Sequence, residues 1–134
     1  MRQIKNKKFD IIVGIPTLNE ADSVANTVQK IDKGLVKYFP NHRSLIVNMD
    51  SKSTDGTGRV FLSTTTKTEK ISVASDEHLR GKGTNIFLLL KLSKKFGAKY
   101  TATIDADITT ITEKWPNLLL EPIVNKGADF VPPV

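Results

Sequence analysis

Phe9-Asp10-Ile11-Ile12-Val13-Gly14-Ile15-Pro16-Thr17-Leu18-Asn19-Glu20 runs from an apolar, β-branched segment straight into a polar loop. A short apolar run closed by a turn residue predicts a buried strand, ended here by Pro16. Val24, Val28, Ile31 and Leu35 then recur on one helical stripe, with Asn19 available as the cap and Asp22 in the first turn. Pro40-Asn41 breaks that helix. Strand followed directly by amphipathic helix is the opening of a βα unit, and the rest of the chain repeats the alternation. Ser44 to Met49 reads as a second strand, and about Arg59 to Ser63 as a short helix. Lys70 to Ala74 is the weakest strand. Thr84 to Phe96 is a helix with Ile86, Leu89, Leu90 and Ser93 inward and Gly97 closing it. Tyr100 to Ile104 is a fourth strand. Thr112 caps a helix from Glu113 to about Asn125, interrupted by Pro122, and Asp129-Phe130-Val131 begins a fifth strand. The expected fold is α/β: an open, mostly parallel sheet with helices on both faces, in one domain spanning 1–134.

The bulk properties narrow the function. At 134 residues there is room for one core, and 39% hydrophobic with 25% charged residues is ordinary for a globular protein. No segment approaches the roughly 20 apolar residues of a membrane span. The basic start, Met1 to Lys8, precedes a strand rather than a signal peptide, so the cytoplasm is expected. Zero cysteines exclude disulfides and thiolate metal sites. A net charge of +6 suits an anionic ligand, although Lys91, Lys94, Lys95 and Lys99 read as a solvated helix face. With only 7% aromatics and no basic patch interleaved with them, nucleic acid is not expected as a partner. The chain stops just as a strand forms, which reads as truncation at the C-terminus.

Four polar loops follow the strands: Pro16 to Glu20, Asp50 to Thr57, Arg80 to Gly83, and Asp105-Ala106-Asp107. Ligands of open parallel sheets bind outside the carboxyl ends of the strands, so these loops define one edge and one site. Asp105 and Asp107, two apart, share a face if the backbone stays extended, and paired carboxylates suit a hard cation such as Mg²⁺ or Mn²⁺. Gly81-Lys82-Gly83 opens a helix, where glycines admit a phosphate and the free N–H groups favour it; Lys82 adds a compact charge. Asp50 and Ser51 are placed to hydrogen-bond a base or ribose. Pro16, Thr17 and Leu18 are placed to flank a planar base, with Glu20 accepting from a ribose diol. Each motif alone has a plainer reading as a cap, a turn or a solvated lysine, and Ser53 to Thr57 reads mainly as structure. His42 reads as exposed and His78 as solvated. Together the loops read as a site for a metal-bound nucleotide diphosphate.

Taken in order, Ile15-Pro16-Thr17-Leu18-Asn19-Glu20, Asp50-Ser51-Lys52-Ser53-Thr54-Asp55-Gly56-Thr57, Gly81-Lys82-Gly83 and Asp105-Ala106-Asp107 resemble the GT-A glycosyltransferases of the family 2 type. Within that group the chain is most similar to glucosyl-3-phosphoglycerate and mannosylglycerate-type synthases. The resemblance covers residues 9–131 and implies a Rossmann-like donor-binding half. Pro16, Thr17, Leu18 and Glu20 would hold the nucleoside, with Glu20 on the ribose. Ser51 would contact the base, Lys82 the base or diphosphate, and Asp105 the ribose or sugar. Asp107 would coordinate the Mg²⁺ or Mn²⁺ that bridges the diphosphate, with Asp105 beside it. Asp107 and Lys82 are thus the expected catalytic residues, with Asp50, Gly81, Gly83 and Ala106 lining the donor. Lys52 stands where the family commonly has glycine or a small residue.

The resemblance implies transfer of glucose or mannose from a UDP- or GDP-linked donor to a small phosphorylated or hydroxy-acid acceptor such as 3-phosphoglycerate or glycerate. Two alternatives share the loops: an inverting family 2 enzyme acting on a polyprenyl phosphate or growing glycan, and a non-catalytic nucleotide-binding fragment. A sugar-phosphate nucleotidyltransferase normally has a Gly-rich loop after its first strand, and Pro16 to Glu20 has no glycine. A homodimer is compatible with everything above.

Overall fold

A computed structural model describes residues 8–74, 82–106, 114 and 120, with the backbone alone for 82–87. Its elements are β1 (Ile11–Thr17), α1 (Val24–Tyr38), β2 (Ser44–Asp50), α2 (Thr57–Ser63), β3 (Glu69–Ala74), α3 (Lys82–Lys95) and β4 (Tyr100–Thr103). The helix expected from Glu113 and the strand expected from Asp129 lie outside the described residues.

The four strands form one parallel sheet in the order β3-β2-β1-β4. Alternation along each strand divides the side chains between two cores. Ile11, Val13, Ile15 and Ile46 pack with Val24, Val28, Ile31 and Leu35 of α1 and Phe61 of α2. Ile12, Leu45, Val47, Met49 and Ile71 pack on the other face with Leu89 of α3 and Phe96 just past its end. Each such side chain, removed from water, contributes about 1.5–3 kcal/mol. The sheet is therefore held between helices, as the uninterrupted apolar strands predict.

Several boundaries differ from the sequence reading, each for a local reason. Pro16 does not end β1 but lies within it, opposite Met49. The Gly14 carbonyl accepts from Ile104 N–H at 2.9 Å, so even-numbered positions of β1 turn toward β4. The β1–β4 register stops at Gly14↔Thr103, leaving the Pro16 nitrogen past the end of that ladder, where a missing N–H costs nothing. Helix α1 starts later than expected, with Ser23 at its N-cap and no acidic residue in its first turn, so Asn19 does not cap it and Asp22 lies ahead of it. Helix α2 begins at Thr57 and α3 at Lys82, each two residues before the expected start.

Leu90 is 56% exposed, against the expectation that it faces inward. The inward stripe is Leu89 and Ser93 of α3, continued by Phe96 just past its end, and Leu90 lies one residue, about 100°, off it. Gly97 closes this helix as expected, at φ +68°. Ala98 N–H reaches the Ser93 carbonyl at 2.8 Å and Gly97 N–H the Lys94 carbonyl at 3.3 Å, the paired bonds of a Schellman motif. His42 is packed rather than freely solvated: it lies 3.6 Å from the Asp10 carboxylate, between the rings of Phe39 and Tyr100.

Candidate functional site at the carboxyl edge of the sheet

The chain winds β1, β2, β3 in one direction and then places β4 on the far side of β1. Strand order therefore reverses between β1 and β4, and the crevice outside that reversal is where doubly wound sheets bind ligands. The loops after β1 and β2 and the Asp105-Ala106 turn after β4 all leave the sheet on this edge.

The first two loops clasp each other. Three consecutive backbone donors of the first loop end on side chains of the second: Asn19 N–H on Ser53 Oγ at 2.8 Å, Glu20 N–H on Thr57 Oγ1 at 3.0 Å, and Ala21 N–H on Asp55 Oδ2 at 3.1 Å. In return Thr54 N–H donates to Asn19 Oδ1 at 2.8 Å. Asn19 sits at φ 54°, a left-handed conformation that asparagine tolerates well. The Thr57 hydroxyl, donating to Asp55, holds that carboxyl below its ordinary value of 3.8; bonds from the Ala21 and Thr57 backbone act in the same sense and partial desolvation opposes them. Ser53 to Thr57 are structural, as expected, but what they fasten is the neighbouring loop. No side-chain cap closes the N-terminus of α2 at Gly56.

Below the clasp, Thr17 is buried and its hydroxyl donates to Asp50 Oδ1 at 2.7 Å. Ser53 donates to the same carboxylate through both its hydroxyl and its backbone N–H. Ser51 N–H bonds the Thr17 carbonyl at 2.9 Å, so the two strand ends are tied by backbone and side chain alike. Leu18 is 55% exposed at the tip of this edge, where an apolar side chain has nothing of the protein to cover it among the described residues. Lys52 adopts φ 57°, the left-handed region that glycine enters without cost. Its backbone there keeps the shape a glycine would give.

On the other side of the reversal, Asp105 is half-buried and Ala106 is fully enclosed. Thr27 of α1, itself buried, donates its hydroxyl to the Ala106 carbonyl at 2.9 Å. The middle residue of Asp105-Ala106-Asp107 is thus pinned to α1 from below. Lys82 and Gly83 form the first turn of α3 rather than a loop ahead of it. Arg80, Gly81, His78 and Asp107 lie outside the described residues. Pro16, Thr17, Leu18, Glu20, Asp50, Ser51, Asp105 and Ala106 are all brought to this one edge. Among the described residues no three Asp, Glu or His side chains gather into a metal-binding group. In residue type, Asp105 and Asp107 match the one or two carboxylates by which Mg²⁺ is commonly held when substrate phosphates complete its shell.

Thr27, Asn48 and Asn19 were not singled out as functional from the sequence. Thr27 and Asn48 had a legible signal: each is a polar residue inside an otherwise apolar stripe or strand.

The family model for glycosyl transferase family 2 matches residues 12–133. The chain belongs to glycosyl transferase family 2. Among solved structures, a mycobacterial protein aligns with TM-score 0.64 at 21% identity, over 86% of this chain and 37% of that one. Glucosyl-3-phosphoglycerate synthase from Mycobacterium tuberculosis, in complex with Mn²⁺, UDP-glucose and phosphoglyceric acid, aligns with TM-score 0.61 at 21% identity, over 87% of this chain and 40% of that one. The same synthase with Mn²⁺, UDP and glucosyl-3-phosphoglycerate gives the same values. At this identity the likeness speaks for the fold, and this chain spans about two fifths of their length. No relative among curated proteins matches the chain. Among the described residues of this family 2 chain, no helix is long and apolar enough to cross a membrane.

Proposed function

We propose that the chain binds a nucleotide-diphospho-sugar, UDP- or GDP-linked glucose or mannose, for transfer to a small acceptor such as 3-phosphoglycerate or glycerate. The observation that carries this is the convergence of the β1 and β2 loops and Asp105 on the edge where strand order reverses. Family 2 membership and the Mn²⁺, UDP-glucose and phosphoglycerate bound by the structural relatives support it.

In this reading Pro16, Thr17 and Leu18 form the wall against the base, with exposed Leu18 supplying apolar cover. Glu20 meets the ribose and Ser51 the base. Lys82 and Gly83, in the first turn of α3, meet the diphosphate with positive charge and the N–H groups of a helix start. Asp105 and Asp107 hold Mg²⁺ or Mn²⁺. When bound, that ion supplies Lewis-acid neutralisation of charge growing on the leaving diphosphate as the sugar carbon becomes cationic. The chain's own contribution is preorganisation: the loops after β1 and β2 are already fastened to each other before any donor arrives.

Calorimetric titration with UDP- and GDP-sugars, with and without Mn²⁺, tests the proposal. Metal-dependent binding is expected in the native chain and its loss in Asp107→Ala. A folded chain, by circular dichroism, that binds neither nucleotide with Mn²⁺ would overturn the reading.

A further inference from the structure

Asn48 is wholly buried in the middle of β2, flanked by Leu45, Ile46, Val47 and Met49. A carboxamide in such a place is costly unless every polar atom is paired. Here they are paired in one direction only. Nδ2 faces the Ile15 carbonyl at 3.2 Å, which can only accept, so the amide cannot be flipped. Nδ2 also donates to Thr17 Oγ1 at 2.8 Å, leaving the single Thr17 proton for Asp50 Oδ1. At the opposite end, Ser72 Oγ donates to Asn48 Oδ1 at 2.9 Å. The line of hydrogen bonds runs Ser72, Asn48, Thr17, Asp50, from β3 across β2 to β1 and back to the last residue of β2, where the loop begins.

The sheet register makes this line. Ile15, Asn48 and Ser72 are mutual partners across the three strands, and Thr17 faces Asp50 one repeat further on. Helix α2 crosses above Ser72 at Gly58, where an added Cβ would come within 3.3 Å of Ser72 Oγ. The end of the line is thus held from above as well. Hydrogen bonds oriented head to tail polarise one another, so each link fixes the next.

We propose that Thr17, Asn48 and Ser72 are positioning residues that orient Asp50 and, through Ser53, the clasped loops of the donor site. This rests on the donor-site reading for its functional consequence and revises the role of Thr17, whose hydroxyl serves the loop's shape rather than the nucleoside. Ser72, two strands away, acts on the site only through the line.

The test compares the native chain with Thr17→Val, Thr17→Ser and Ser72→Ala, all shown folded by circular dichroism. Two quantities are read: the affinity for UDP and GDP with Mn²⁺, and ligand-free amide exchange at Asn19 and Ser53. Thr17→Val and Ser72→Ala are expected to speed exchange at both amides and weaken nucleotide binding about 5- to 10-fold, with Thr17→Ser close to native. Native exchange rates and native affinity in Thr17→Val would overturn the positioning role while leaving the donor site standing. If the native chain binds neither nucleotide, the donor-site reading falls. The exchange rates alone then decide whether the line positions the loops: faster in Thr17→Val and Ser72→Ala supports it, unchanged overturns it.

Discussion

At the scale of single residues, the loops of the site hold two kinds of information that sequence displays unequally. Lys52 at φ 57° shows one. A left-handed conformation costs a side chain with Cβ about 1–2 kcal/mol, against the roughly 0.5–1 kcal/mol of extra chain entropy that glycine loses on folding. Lys52→Gly should therefore raise stability by up to about 1 kcal/mol, read as an increased urea midpoint at unchanged slope. A lowered midpoint would mean that the lysine side chain contributes more than its backbone costs. Asp55 shows the other kind. Its carboxyl titrates below 3.8 in the fold, chiefly because the Thr57 hydroxyl bonds its ionised form. A depressed carboxylate stabilises the fold fully above its unfolded value and progressively less as pH drops through its folded value. The clasp should accordingly hold at pH 5 and above and loosen below about 3.8, seen as faster exchange of the Ala21 amide on acidification. Asp55→Asn should lack that step. Asp55 was readable as a capping residue, but its partner in another loop was not, because a partner 34 residues away leaves no local spacing signal.

Elements were legible in proportion to how far burial alone decides them. The α1 stripe of Val24, Val28, Ile31 and Leu35 is buried throughout, and β2 deviates from its expected span only by adding Asp50. Helix α3 was harder: its side chains include Leu88, Leu89, Leu90 and Leu92, too many leucines for hydropathy to say which face turns inward. The start of α1 was missed because the group that decides it lies in another element. Asn19 has the chemistry of a cap for α1, yet its side chain accepts from Thr54 and α1 begins only at Val24. Thr27 belongs to the same class. Its hydroxyl, on the apolar face of α1, anchors the Ala106 carbonyl and so the turn carrying Asp105. Residues that orient a metal ligand, the role proposed for Asp105, typically influence affinity about 10- to 100-fold. Thr27→Val keeps the shape and loses the bond, and should weaken Mn²⁺-dependent nucleotide binding by about 10-fold, while Thr27→Ser retains it. Equal binding by native and Thr27→Val protein would show that the turn holds its shape without α1.

For the molecule as a whole, the proposed diphosphate contact would depend on how closely α3 approaches the sheet, and Gly14 lies where Leu89 of α3 meets β1. It lies in the central strand, between its β2 and β4 partners, directly under α3. A Cβ built there would meet Met49 Cε at 2.7 Å and the two Leu89 methyls at 2.9 and 3.0 Å. Met49 can swing its terminal methyl aside, but both Leu89 methyls sit on a short branch that moves only with a change of rotamer or of the helix itself. Helix α3 begins at Lys82 and Gly83, so a displacement of Leu89 two turns along is carried to the end that faces the proposed diphosphate. Gly14→Ala should therefore do two things together: lower stability by about 1–2 kcal/mol, the range expected of mild overpacking, and weaken nucleotide binding although position 14 is buried and touches no ligand. Pairing it with Leu89→Ala separates the effects. If the added methyl acts by lifting α3, the smaller side chain should restore binding toward native even though the pair remains less stable than the native chain. Binding that stays weak in the double variant would instead place the effect of Gly14 within β1 and its loop, where the line from Ser72 to Asp50 passes.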